Sequence, residues 1–188
     1  MRKFGAIAFV MFVALATAPG HAQRSGVSVF TATLAGENEV PLVSSPAQGT
    51  FSAEIDETAE EVHFELSYSG LTTAIRQAHI HIAQPFASGA IMVWLCETTL
   101  NPAPAAVAAD VPTCEQNTDA DGTFSGSVSG TIKVADVGTG SAAQGVGTGE
   151  FAEFIAAIRG GNAYANVHTT QSQGGEIRGQ LKPGDGPK

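Results

Sequence analysis

Val62-His63-Phe64-Glu65-Leu66-Ser67-Tyr68 alternates apolar and polar residues without a break. Successive side chains on a strand point to opposite faces, so Val62, Phe64, Leu66 and Tyr68 meet a core while His63, Glu65 and Ser67 meet water. Segments of the same kind recur on either side, bounded by Gly, Pro, Asn or Asp. Their spacing predicts strands near 27–35, 48–55, 61–69, 77–83, 90–96, 122–134, 162–169 and 175–182. Pro41 and Pro46 break the chain after the first strand, Asp56 to Glu60 before the third, and Ser69-Gly70 after it. The expected fold is all-β, an antiparallel sandwich or barrel. One short helix is expected near 150–159, where Phe151, Phe154, Ile155 and Ile158 recur at helical spacing. Thr148 is placed to cap its start, Glu150 and Glu153 sit near its positive end, and Gly160-Gly161 can end it. Its apolar stripe should lie across an open end or edge of the sandwich.

At the N-terminus Arg2 and Lys3 precede an acid-free apolar run from Phe4 to Ala18, shorter than a bilayer-spanning helix. Gly20, His21 and Ala22 supply a small-x-small site, so residues 1–22 read as a signal peptide cleaved near Ala22, with an uncleaved anchor as the alternative. Residues 23–182 then form one exported domain, periplasmic or secreted, and 183–188 a disordered Pro/Gly-rich tail. Loss of Arg2 and Lys3 takes the formal balance from 9 basic against 18 acidic groups to 7 against 18, or −11. Such a surface repels phosphate backbones, and no basic patch compensates, which argues against nucleic acid as a partner. No second apolar stretch is long enough to span a bilayer.

Cys96 and Cys114 bracket a loop rich in Pro, Ala and Asp. In an oxidising compartment they are expected to be disulfide-bonded, with two free buried thiols as the alternative.

The chain carries no G-x-S-x-G elbow, no H-E-x-x-H and no dinucleotide fingerprint, so chemistry must rest on histidine. In Ala78-His79-Ile80-His81-Ile82, residues two apart share a strand face, and His79 and His81 project together. In Tyr164-Ala165-Asn166-Val167-His168-Thr169, the side chains of Tyr164, Asn166 and His168 share a face. If these two strands pair, three imidazoles converge. Three neutral imidazoles with an open fourth position are a common site for zinc or copper. The alternative is a set of histidines that hydrogen-bond across strands without metal. His63, on the wet face, reads as a surface residue.

Asn117-Thr118-Asp119-Ala120-Asp121-Gly122 opens like a calcium loop, but its twelfth position is Val128 where a bidentate Glu is needed. It reads as an acidic turn, with calcium at Asn117, Asp119 and Asp121 as the alternative. Further on, Glu176 and Arg178 share an outward face and suggest an ion pair, while Glu37 and Glu39 are the only acids in view that could complete a carboxylate pair with Glu176.

Taken in order, Leu34-Ala35-Gly36-Glu37-Asn38-Glu39-Val40-Pro41, Tyr68-Ser69-Gly70-Leu71, Ala78-His79-Ile80-His81, Gly161-Asn162-Ala163-Tyr164-Ala165-Asn166-Val167-His168-Thr169 and Gly174-Gly175-Glu176-Ile177-Arg178-Gly179-Gln180-Leu181 resemble the CHRD (chordin) domain family over about the whole mature chain. The resemblance implies an exported, antiparallel Greek-key β-sandwich, immunoglobulin-like or superoxide-dismutase-like, with a metal site at His79, His81 and His168 and with Tyr164, Asn166, Glu176 and Arg178 as neighbours. Two departures stand out: Ile82-Ala83-Gln84-Pro85 replaces the Gly-Pro that usually follows the histidine pair, and the 96–114 insertion is not expected of every member. The leading expectation is a non-enzymatic binding protein holding one copper or zinc ion. A metal-free extracellular protein-interaction module using loops 36–46 and 97–121, and a superoxide-dismutase-like redox enzyme, are the alternatives. Oligomeric state is left open.

Overall fold

The alternating segments form the expected strands in a computed structural model, which describes residues 27–184. The signal-peptide reading of 1–22 lies outside these residues. The strands are β1 (Val27–Ala35), β2 (Gln48–Asp56), β3 (Glu61–Leu71), β4 (Ile75–Ile82), β5 (Ala90–Cys96), β6 (Asn117–Thr118), β7 (Phe124–Lys133), β8 (Ala163–Thr169), β9 (Ile177–Gln180) and β10 (Lys182–Pro183), with one α-helix, α1 (Phe151–Arg159). Every strand pair is antiparallel. The order across the sheet is β5-β4-β8-β9-β1-β2-β3-β7-β6, with β10 also on β1.

The sheet curls so that two halves enclose one core. Leu34, Phe51, Ile55 and Leu66 face Ile80, Leu95, Val167 and Ile177 within a single cluster of buried side chains. The halves are joined along one seam instead of standing as separate sheets. β1 pairs with β2 along its whole length, while on its other edge Ala35 meets Arg178 of β9 and Phe30 and Thr31 meet β10.

On β3 the alternation works as read: Val62, Phe64, Leu66 and Tyr68 are buried while His63, Glu65 and Ser67 are exposed. Phe64 stacks on Phe51 with ring centroids 6.3 Å apart. Gly130 of β7 makes room for that ring, because a Cβ there would come within 2.8 Å of it.

On β8 the alternation fails, for all seven residues are buried. Its second face lies under the loops that follow β1, β4 and β8. This is the feature that makes a site.

The helix lies against the same core through Phe151, Phe154, Ile155 and Ile158, and Arg159 pairs with Glu57 in the turn between β2 and β3. It starts at Glu150 without a side-chain cap. Thr148 therefore does not cap it; the chain enters through Gly149 at φ 81°, and Glu150 instead accepts from Gly147 N at 2.5 Å. The tail is described as far as Gly184, whose N–H donates to Val29 O at 2.9 Å; residues 185–188 lie outside the described part. Among the described residues no helix is long and apolar enough to cross a membrane.

Candidate metal centre

β4 and β8 pair with His79 opposite Asn166, His81 opposite Tyr164 and Gln77 opposite His168. Directly opposed residues share a sheet face, so His79 and His81 stand with Tyr164, Asn166 and His168, and His168 is diagonal to His79. The three histidines are 0%, 7% and 5% exposed in chain order. Nδ1 of His79 lies 3.2 Å from Nε2 of His168. One ligand nitrogen from each ring falls within 4.8 Å of the other two, and the group contains no carboxylate or thiol.

Main-chain carbonyls orient two of the rings. Nδ1 of His81 is 3.0 Å from Gly89 O, and Nδ1 of His168 is 3.0 Å from Gln173 O. A carbonyl only accepts, so each Nδ1 carries the proton and each Nε2 presents a lone pair. Nε2 of His81 and Nε2 of His79 are buried and find no partner in the protein. Such an orphaned polar atom costs about 1–3 kcal/mol, and an ion held by His81 Nε2, His168 Nε2 and His79 Nδ1 would remove the one on His81. A tetrahedral ion with bonds of about 2.0–2.1 Å places its ligand nitrogens about 3.3 Å apart, close to the His79–His168 spacing. The three histidines could therefore hold a metal ion suited to imidazole ligands.

Burial also fixes their protonation. It depresses His79 well below the ordinary imidazole value, and His168 and His81 oppose its protonation further. His81 falls to about 4, through burial and Arg178 against the support of Gly89. His168 falls to about 4, through burial, His81 and Arg76 against the support of Gln173. All three are neutral at pH 7, the form that binds metal.

The neighbours form a stack. The Tyr164 ring lies parallel to His81 with centroids 4.9 Å apart, and the Arg178 guanidinium sits 3.8 Å over Tyr164. Arg178 Nη1 donates to Ala87 O at 3.0 Å, and Gly89 N donates to the Tyr164 hydroxyl at 3.3 Å. Asn166 Nδ2 donates to Glu39 Oε1 at 2.6 Å and to Ile177 O at 2.9 Å. Gly175 is required here, since a Cβ would stand 2.5 Å from Glu39 Oε1 and its φ is 127°.

Glu176 and Arg178 do not form the expected ion pair, nor do they face water: both are buried. Glu176 accepts from Ser45 Oγ at 2.7 Å, from Thr72 N and Oγ1 at 2.9 Å, and from Thr169 Oγ1 at 2.7 Å. With loops over this face, neutral donors satisfy the carboxylate and Tyr164 takes the guanidinium. Glu37 is exposed and Glu39 is held by Asn166, so no carboxylate pair with Glu176 assembles.

The acidic turn before β7 is engaged with itself. Asp119 accepts from Ser125 Oγ, Asp121 from Thr123 N and Oγ1, and Asn117 donates to Glu115. His63 is a surface residue at 3.0 Å from Thr131 Oγ1. Cys96 and Cys114 stand at disulfide distance, with Cα atoms 4.9 Å apart.

Sequence reading missed several parts of the site. Trp94 of β5, opposite His79 in register, meets that ring edge-on at 4.3 Å between centroids; its pairing was the available signal. Gly89 and Gln173 act through carbonyls, which residue type does not reveal. Glu39 entered only as an acid that could complete a carboxylate pair with Glu176, and its partnership with Asn166 was not foreseen.

A family model described as the CHRD domain matches residues 30–181. No curated protein and no solved structure matches the chain.

Proposed function

This chain belongs to the CHRD domain family, and we propose that it acts by binding, with His79, His81 and His168 holding one copper or zinc ion for structure, storage or delivery. One observation carries the reading: Gly89 O fixes the tautomer of His81 so that its buried Nε2 lone pair has no partner, at the point where His79 and His168 converge. The ion would supply the positive charge that these lone pairs lack. Tyr164 and Trp94 wall the site, and Asn166 anchors the covering loop through Glu39. Export is supported by the Cys96–Cys114 pair, since such bonds persist in oxidising compartments.

The test is elemental analysis of protein recovered from its native compartment, repeated on His79→Ala with His168→Ala after circular dichroism shows that the variant folds. The proposal expects about one equivalent of metal per chain, lost in the variant. Metal retained by the folded variant, or wild-type protein without metal that also rejects added zinc and copper, overturns it. A second reading, an extracellular protein-interaction module, draws on Leu42, Phe86 and Leu100, large apolar side chains left exposed on three loops.

A further inference from the structure

Resting on the histidine-site reading above, we infer that this site selects monovalent copper over divalent ions. Four features of the molecule point the same way.

The ligands bring no charge. Three neutral imidazoles make up the group, without carboxylate or thiolate, in a pocket where the rings are at most 7% exposed. The cost of taking an ion out of water rises with the square of its charge, so a dication costs about four times as much as a monocation there.

Two guanidiniums add to the penalty. Arg178 is held over Tyr164, whose ring stacks on His81, and Arg76 lies on β4 three residues before His79, its Nη2 on Asn101 Oδ1 at 3.1 Å. Both are fixed cations on the strands that carry the histidines or pair with them, Arg178 standing opposite Asn166. Coulomb repulsion from each doubles when the bound charge doubles.

The nearby carboxylates do not cancel this. Glu176 is occupied by donors from Ser45, Thr72 and Thr169. Glu39 faces Asn166 and Arg178, and burial raises its pKa to about 7, so near neutral pH it offsets Arg178 only in part.

Coordination number agrees. The protein offers three nitrogens and no carboxylate or thiolate; beside them stand Trp94, Tyr164 and Gln77, opposite His168, whose buried and unpartnered Oε1 is at most a weak, uncharged fourth donor. Cu(II) favours tetragonal N/O sets that need a fourth strong ligand, a demand that the filled d shell of Cu(I) does not make.

The experiment uses the mature chain stripped of metal. Cu(I) is titrated anaerobically against a chromophoric Cu(I) chelator, Cu(II) against an amino-acid chelator, and zinc against a chromophoric zinc chelator. Trp94 fluorescence reports occupancy independently. The expected result is Cu(I) bound roughly 10³-fold more tightly than Cu(II), with zinc also weaker than Cu(I). Arg178→Gln should shrink the Cu(I)/Cu(II) ratio roughly tenfold, while Arg178→Lys, which keeps the charge, should leave more of it. Cu(II) or zinc held as tightly as Cu(I), by a site that His79→Ala abolishes, overturns the selectivity and leaves the histidine site standing. No binding of any of the three overturns both. If Arg178→Gln fails to fold, the wild-type ratio decides alone.

Discussion

Burial sets the protonation of His81 and His168 before any metal arrives, and the sign of that effect is measurable. Both fall from 6.5 to about 4 in the fold. The unfolded chain therefore binds more protons between these values, and stability present above about pH 6.5 is lost as pH falls toward 4. Each is worth on the order of 3 kcal/mol at most. Urea unfolding of the metal-free protein should show this acid loss, and His81→Gln should flatten it. Glu39 acts in the opposite direction. Its pKa rises from 4.5 to about 7, so its contribution is present below 4.5 and lost as pH climbs through 7. Glu39→Gln keeps an acceptor for Asn166 and should stabilise the fold by about 1–2 kcal/mol at pH 8 while changing little at pH 4. At this scale the sequence made the histidines legible, because their i, i+2 spacing is a strand property. It hid Gly89 and Gln173, whose part is played by main-chain oxygen.

At the scale of elements, alternation located β1, β2, β3 and β5, and helical spacing located α1, to within a few residues. What it did not convey was that β8 has no wet face. Tyr164, Asn166 and His168 alternate with Ala165 and Val167 as a half-exposed strand does, and only the loops from distant sequence turn that polar face into an interior. The same loops explain why Glu176 and Arg178 share a face yet never pair. Helix α1 owes its place to packing, since it lacks a side-chain cap and Phe154 is fully buried. Phe154→Ala should therefore cost about 3–5 kcal/mol by thermal or chemical unfolding. The irregular stretch between β5 and β6 depends on its closure. Replacing Cys96 and Cys114 together by Ser should cost about 3 kcal/mol, read from the urea midpoint, with β4 and its histidines still folded.

In the whole molecule the curled sheet brings two histidine-bearing segments, far apart in the chain, onto adjacent strands. That adjacency depends on the order β4-β8-β9-β1, and the sequence reading held it only as a condition, because local pattern alone does not supply strand order. If the ion binds the folded chain only, its affinity appears as added stability. Metal at about 100 times its dissociation constant should raise stability by about 2.7 kcal/mol, an increase absent in His79→Ala with His168→Ala. The most direct test is X-ray absorption at the edge of the metal that loads the folded protein in one equivalent. The account predicts three imidazole nitrogens at about 2.0 Å in the first shell. A shell of oxygen ligands, or a single imidazole unchanged when His79 and His168 are replaced, would contradict it.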